Sequence, residues 1–521
     1  MILALWIFFS VSASYGLTFT VDNITYKTLT DNTVVVSSFT HSLTEVVIPS
    51  TVIYNDMEYE VKEINAKGLY GPSSMESLTI SEGIEKIGKS GVGSNNKLKT
   101  VILPSTLVEI GESAFDELSS LETVSFPNGS KLQTISKNAF NDCKKLVTLQ
   151  FYPNSSEETT KMRPTFPETL VTIGDYAFNS VLAFKQLILH GKLTKIGNYS
   201  FANCSNLEYI WLQEGITDVG QYSFYDCPAI SYVVLPSTLS NVLLGAFTCN
   251  YINGKTTRTS NITFVLLGDV PFKYSPRVQT EFYGRWLPAN IDAIAGDRFY
   301  VKKSAIEKYK DAWKKGIPSD YFDYKIPFNS DLVYSTNYRE FDADYTVAAN
   351  SGNKPFVAIN YGDISALFKS IDNNIVPAET GVVIRRKSDE NTWYQIAESQ
   401  GNTIEGTNYL KGVLYSDVIS PKSNNGEVNY VLYNGVFCRF ANDGMLSDHK
   451  AYLQLPLDLS SAKSMNLSFD DETITGIINS LSNETEDNYY YNLHGMRMTK
   501  PQKGIYIKNG KKVIVNNHNY E

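Results

Sequence analysis

Between residues 64 and 249 the apolar and polar positions of the chain return in one fixed register. The phrase Ile110-Gly111-Glu112-Ser113-Ala114-Phe115 recurs as Ile173-Gly174-Asp175-Tyr176-Ala177-Phe178, as Ile196-Gly197-Asn198-Tyr199-Ser200-Phe201 and as Val219-Gly220-Gln221-Tyr222-Ser223-Phe224. Its last position, taken as an anchor, falls at Leu69, Val92, Phe115, Phe140, Phe178, Phe201, Phe224 and Phe247. The intervals are 23, 23, 25, 38, 23, 23 and 23 residues, the 38 being one period with an insertion of 15. Six residues after each anchor from Leu69 to Phe224 a strand-like phrase usually begins, as in Leu98-Lys99-Thr100-Val101-Ile102-Leu103-Pro104 and Ile230-Ser231-Tyr232-Val233-Val234-Leu235-Pro236. One such unit cannot bury its own apolar face, so neighbouring turns must stack on a continuous core.

The flanks carry different patterns. Leu17 to Tyr59 alternates apolar and polar residues and ends in two short predicted strands around Asn55-Asp56, which would cap the open start of the stack. The insertion around Asn154 to Thr165 is polar and charged, which predicts a surface loop, and the period breaks again through Asn250 to Ser260. Phe299-Tyr300-Val301-Lys302 then leads to a predicted helix. Ser304-Ala305-Ile306-Glu307 reads as its capping box, and Ile306, Tyr309 and Trp313 share one helical face. From Ile326 to about Asp470 short β segments alternate with Gly, Asn and Pro, which suggests a β-sandwich. Asp470 to Asn488 is acidic and polar, the composition of a flexible linker. Asn509-Gly510 between two alternating segments is a strong hairpin signal, with Tyr489 to Met498 available as a third strand.

A fixed period in the range of about 20–29 residues with an L-x-x-L-x-L phrase marks a leucine-rich repeat solenoid. The recurring phrase I-G-x-x-A-F-x-x-C-x-x-L-x-x-V-x-L-P resembles the BspA-like leucine-rich repeat family over roughly residues 43–315. That resemblance implies a surface or secreted protein of the adhesin and binding-protein kind. The strand-then-helix with Tyr309 and Trp313 resembles the terminal cap of the same family. The phrases Val376-Pro377-Ala378-Glu379-Thr380-Gly381 and Tyr452-Leu453-Gln454-Leu455-Pro456 resemble an accessory β-domain of large exported proteins from anaerobic Gram-negative bacteria. The tail resembles the C-terminal sorting domains of type IX secretion substrates, which implies the secretion machinery as a partner and leaves open whether the tail is cleaved on export. The expected organisation is a signal peptide (1–16), an N-terminal β cap (17–63), leucine-rich repeats of about eight 23-residue turns (64–260) and a C-terminal cap (261–325). A β-sandwich-like accessory domain (326–470), a linker (471–488) and a small sorting-type β unit (489–521) follow.

Length and charge narrow the function. A chain of 521 residues is too long for one compact core. Its net charge of −9, without a basic stripe, argues against nucleic acid as a partner. Ile2 to Val11 is an apolar run too short to span a bilayer, with small residues at Ser14 and Gly16 suited to cleavage, and no later stretch is apolar enough for a membrane helix. Cys143, Cys204 and Cys227 each stand three residues after an anchor. A position repeated once per turn is a packing position, so buried free thiols are expected there rather than a disulfide framework.

Catalytic and metal motifs are absent or explained by the repeat. Gly83-Ile84-Glu85-Lys86-Ile87-Gly88-Lys89-Ser90 matches the P-loop expression, yet Gly83 and Gly88 occupy the columns of Gly215 and Gly220. Asp342-Ala343-Asp344-Tyr345-Thr346 begins like a calcium loop, but Val347 stands where that loop needs Gly and Asn353 where it needs Glu. The five His are scattered, and H-E-x-x-H, C-x-x-C and G-x-S-x-G do not occur. No enzyme activity, cofactor or metal is expected.

The informative surface is the side of the repeat strands that faces away from the core. Its columns hold Ser77, Thr100, Thr123 and Thr148 beside Thr79, Ile102, Ser125 and Gln150 in the early turns. In the later turns they become Gln186, Tyr209 and Tyr232 beside Ile188, Trp211 and Val234. An exposed ladder of Tyr209, Trp211, Tyr232, Ile188 and Val234 would be a ligand-contact patch for proteins or glycans on host or neighbouring cells. The competing reading is that Tyr209 and Trp211 pack under the accessory domain or simply satisfy β-propensity. The favoured function is a non-enzymatic adhesin at the cell surface, the alternative a glycan-binding accessory protein of a polysaccharide-uptake system.

Overall fold

The computed structural model describes the protein between residues 16 and 515, apart from 152–165, 280–285, 328–333, 338–344, 348–353, 386–392, 457–461, 470–489, 492–496, 499–503 and scattered shorter stretches. Residues 1–15 and 516–521 also lie outside the described residues. The predicted signal peptide, the insertion loop, the linker, the Asp342–Asp344 segment and the Asn509-Gly510 pair therefore fall almost wholly outside them. The chain divides into two compact units, one of residues 1–328, 341–346 and 393–400, the other of 329–340, 347–392 and 401–521.

The first unit opens with strands Thr18–Val21, Ile24–Thr28 and Thr33–Phe39 in antiparallel succession. Strand Met57–Ile64 then lies parallel to Thr33–Phe39 and forms a hairpin with Thr51–Tyr54. Asn55 and Asp56 turn that hairpin with φ of 51° and 61°, the left-handed pair that suits a two-residue turn between right-twisted strands. The end of Met57–Ile64 is itself the first rung of the repeat, because Glu63 and Ile64 pair in parallel with Lys86 and Ile87. Two-residue rungs continue at Glu109–Ile110, Thr134–Ile135, Thr172–Ile173, Lys195–Ile196, Asp218–Val219 and Asn241–Val242, all parallel.

The longer strand of each turn builds a second parallel series, which is split in two. Glu45–Ile48, Ser77–Ile80, Thr100–Ile102, Thr123–Phe126 and Thr148–Phe151 make one sheet. Gln186–Leu189, Tyr209–Leu212, Tyr232–Leu235, Thr263–Leu266, Arg298–Val301 and Phe322–Asp323 make the other. The division coincides with the insertion, which the rung series crosses unbroken through Ile135 and Ile173.

Between rungs and strands runs a spine of anchor rings. Phe115, Phe140, Phe178, Phe201, Phe224 and Phe247 stack with centroids 5.0, 5.4, 5.4, 5.7 and 5.1 Å apart. Each is nearly or fully buried, so the spine exchanges large apolar areas for neighbour contacts turn by turn. The glycine column explains the P-loop-like phrase. A Cβ on Gly88 would lie 2.6 Å from Ala66 N, and one on Gly197 would lie 2.5 Å from Gly174 C. The column is glycine because successive backbones nearly touch there, and Lys89 pairs with Glu112 at 3.1 Å on the surface.

The thiols of Cys143, Cys204 and Cys227 are free and buried, as their column requires. Each donates to the carbonyl of the previous anchor, Phe115, Phe178 and Phe201, at 3.0, 3.3 and 3.2 Å. Asn95, in the same column, does this with its amide to Leu69 O at 2.6 Å. The column is thus a site for a small donor.

At the far end Asp297, fully buried, accepts from both terminal nitrogens of Arg258 (2.6 and 2.9 Å) and from the amides of Ile262 and Ile294. Helix Ile306–Trp313 closes the core with Tyr309 and Trp313, whose polar atoms reach Gly268 O and Phe272 O, both at 3.1 Å. The expected capping box does not form. Ser304 sits in a 3-10 turn, Lys303–Ala305, one residue too early to cap, and its amide and hydroxyl bind Glu398 at 2.9 and 2.6 Å. Strand Trp393–Ile396 also pairs with Ile326–Pro327, so this later segment belongs to the first unit.

The second unit contains a nine-stranded sheet in the order Tyr334–Asn337, Val382–Arg385, Lys354–Tyr361, Ser365–Ser370, Ser464–Phe469, Val436–Arg439, Val428–Tyr433, Lys450–Leu455 and Leu410–Val413. Neighbours are antiparallel except Ser365–Ser370 with Ser464–Phe469. Phe356, Phe368, Tyr430, Phe437, Leu453 and Phe469 lie in its core. The tail forms a separate sheet in which Gly504–Lys508 pairs with Lys511–Val515 as an antiparallel hairpin, with Tyr490–Tyr491 and Arg497–Met498 alongside.

Candidate binding face

The two long-strand sheets differ in what their coreless faces carry. In the later sheet Leu187, Ile210 and Val233 point into the solenoid core, and Ile188, Trp211 and Val234 alternate with them on the opposite side. The expectation that these last three form an exposed patch is corrected by the structure. Ile188 is 2% exposed, and Trp211 and Val234 are fully buried. Tyr209 is 4% exposed and Tyr232 is half-buried, their rings stacked 5.2 Å apart. The reason is compositional. Phrases such as Tyr209-Ile210-Trp211-Leu212 and Tyr232-Val233-Val234-Leu235 are apolar without alternation, the signature of strands buried on both faces. That signal was present in the sequence.

The early sheet keeps strict alternation and an open face. Ser77–Ile80 and Thr123–Phe126 bury every second residue. Across the turns Val47 pairs with Thr79, Thr79 with Ile102 and Ile102 with Ser125 in one column. Val47 is 57% and Ile102 46% exposed. Beside this column run the hydroxyls of Ser77, Thr100, Thr123 and Thr148, and the Glu76–Lys99 ion pair (2.7 Å) marks its rim. Residues 62–163 and 157–253 match the family described as BspA type leucine rich repeat region, in six copies. The repeat region belongs to this family.

Solved structures similar to the chain include leucine-rich repeat proteins and a vaccine antigen. The pneumococcal vaccine antigen PcpA is 18% identical, over 58% of this chain and 96% of its own, with a TM-score of 0.25. A leucine-rich repeat protein from Bacteroides ovatus is 18% identical over 58% and 99%, with a TM-score of 0.23. A leucine rich cell surface protein from Faecalibacterium prausnitzii is 16% identical over 48% and 89%, with a TM-score of 0.20. No curated protein matches the chain.

Outside the BspA-type strands, two other features bear on chemistry. No group of three or more His, Cys, Asp and Glu among the described residues is arranged to hold a metal ion. No helix among them is long and apolar enough to cross a membrane.

Proposed function

We propose that the protein is a non-enzymatic adhesin, exported to the surface of a Gram-negative cell, that contacts proteins of host, matrix or neighbouring cells through the open face of its early strands. The observation that carries this reading is the Val47–Thr79–Ile102 stripe, methyl groups held in solvent on a rigid parallel sheet while the equivalent later columns are covered. Apolar residues aligned on a flat, preorganised face lose little entropy on binding and shed ordered water, which suits a protein contact with a polar rim. In this reading the second unit is a sandwich-like accessory domain, and residues 489–521 address the chain to the secretion machinery. The burial of Trp211 removes the exposed aromatic platform on which a sugar-binding role for the later strands depended.

The test is adhesion of purified full-length protein to immobilised matrix proteins, compared with a Val47→Asp/Ile102→Asp variant. Loss of adhesion with an unchanged melting temperature supports the reading, because both side chains are exposed. Full adhesion by the variant overturns it.

A further inference from the structure

The early sheet ends on a bare edge. Strand Glu45–Ile48 is the last of its five and, among the described residues, pairs only with Ser77–Ile80. At the same end of the solenoid the rung sheet is extended past Thr33–Phe39 by two more strands, Ile24–Thr28 and Thr18–Val21. The cap thus continues one of the two parallel series and leaves the other unextended.

The parity of the strand decides which main-chain groups are left over. Thr44 O accepts from Ser77 N at 3.2 Å, and Ile48 O accepts from Ser81 N at 3.0 Å. Residues 44, 46 and 48 therefore turn their main-chain groups to the neighbouring strand, and Glu45 and Val47 turn theirs to the open edge. Among the described residues nothing bonds to those outward groups. Leu43 N already donates to Thr40 O (3.3 Å) and Pro49 has no N–H, so the outward amides are those of Glu45 and Val47. With their carbonyls they offer two donors and two acceptors.

The side chains of the same two residues add two constraints. Both are exposed on the outer face. Glu45 heads the hydroxyl column of Ser77, Thr100 and Thr123, and Val47 heads the stripe of Thr79 and Ile102. The Glu45 carboxylate makes no ion pair or hydrogen bond among the described residues. Glu76, next to its cross-strand partner Ser77, is held by Lys99 at 2.7 Å.

These groups select the occupant. Main-chain donors and acceptors repeating at every second residue, roughly 7 Å apart, match another extended polypeptide. An antiparallel strand satisfies all four with three residues, because each paired residue exchanges both of its bonds with one partner, whereas a parallel strand needs a longer segment. In the antiparallel register the incoming side chains fall beside Val47 first and Glu45 second, which calls for an apolar residue, any residue, then Lys or Arg. A second copy of this chain could meet the same four groups with its own residues 45–47. That pairing sets each exposed valine against a carboxylate and leaves both Glu45 charges without a cation. We propose that Glu45–Ile48 receives an antiparallel strand of the bound protein, of the pattern apolar-x-basic, which extends the early sheet and lays its apolar residue beside Val47. The inference rests on the early sheet being the contact surface and names how the partner is held at its border.

The test is a fluorescence anisotropy titration of the labelled peptide Ser-Thr-Val-Thr-Lys-Thr-Ser with the full chain. The peptide is expected to bind. N-methylation of its Val and Lys amides, which face Val47 and Glu45, should weaken binding by about tenfold or more, the effect of losing two main-chain hydrogen bonds. N-methylation of the Thr between them, whose amide points away from the edge, should leave binding in place. Glu45→Lys, a change at an exposed side chain, should reverse the preference between this peptide and the analogue carrying Glu in place of Lys. Ile102→Asp, two strands in from the edge, should lower adhesion of the protein yet leave peptide binding unchanged, so that failure of the edge and failure of the face are read separately. Absence of peptide binding, equal losses from the two methylations, or a preference that Glu45→Lys leaves unreversed would each overturn the proposal. So would sedimentation showing the full chain to be a dimer that Glu45→Lys dissociates.

Discussion

Ile210 and Trp211 are consecutive residues of one strand, both fully buried, on opposite faces of the sheet. The indole is therefore part of what holds the protein together. Trp211→Ala is expected to destabilise the first unit by about 3–5 kcal/mol, the usual cost of truncating a large buried aromatic. Urea unfolding monitored by circular dichroism measures it. A loss below about 1 kcal/mol, the range of surface substitutions, would show the indole to be a surface group after all.

Gly197→Ala tests the stacking distance between turns. The added Cβ would lie 2.5 and 2.6 Å from backbone atoms of Gly174, which no side-chain movement can relieve. A cost of about 1–3 kcal/mol or more is expected from overpacking. Leu243→Gly, at the exposed end of the same column, should cost much less, and equal costs in the two melts would contradict the backbone-approach argument.

The thiol column makes a prediction about pH. Burial pushes the Cys143 thiol from its ordinary 9.0 up to about 12, and burial also raises Cys227. The folded state thus keeps a proton that the unfolded chain releases above pH 9, so the unfolded state binds fewer protons there and stability falls as pH rises. From Cys143 alone the slope is about 1.4 kcal/mol per pH unit between pH 9 and about 12. Denaturant midpoints measured from pH 7 to 10.5 should decline beyond pH 9, and Cys143→Ala should flatten that decline. The thiols should also resist Ellman's reagent at pH 8 until the protein is unfolded.

Deleting residues 489–521 probes the tail. In repeat proteins stability comes from neighbouring turns, and among the described residues the tail strands pair with each other in their own sheet. The truncated protein is expected to keep the melting transition of the solenoid while accumulating in the periplasm, read by fractionation and surface proteolysis. Normal surface display of the truncation would contradict the sorting role.

The sequence alone determined the repeat. A 23-residue period with fixed Ile, Gly, Phe and Cys columns admits one kind of solution, since each column must meet its own copy in the next turn. The Phe115–Phe247 spine, the free thiols and the glycine approach all follow from that condition. Asn55-Asp56 likewise announced its hairpin, because few residues accept left-handed φ at both positions. Tertiary structure decided what each outward face meets. Register alone places Trp211 and Ile102 on the same side of their strands; the unbroken apolar phrase around Trp211 marks its side as one to be covered, but which layer covers it is set by packing. Ser304 shows the same limit. Its local phrase spells a capping box, but the acceptor that claims it is Glu398, 94 residues away, and contacts between segments that distant are set by packing rather than by local pattern.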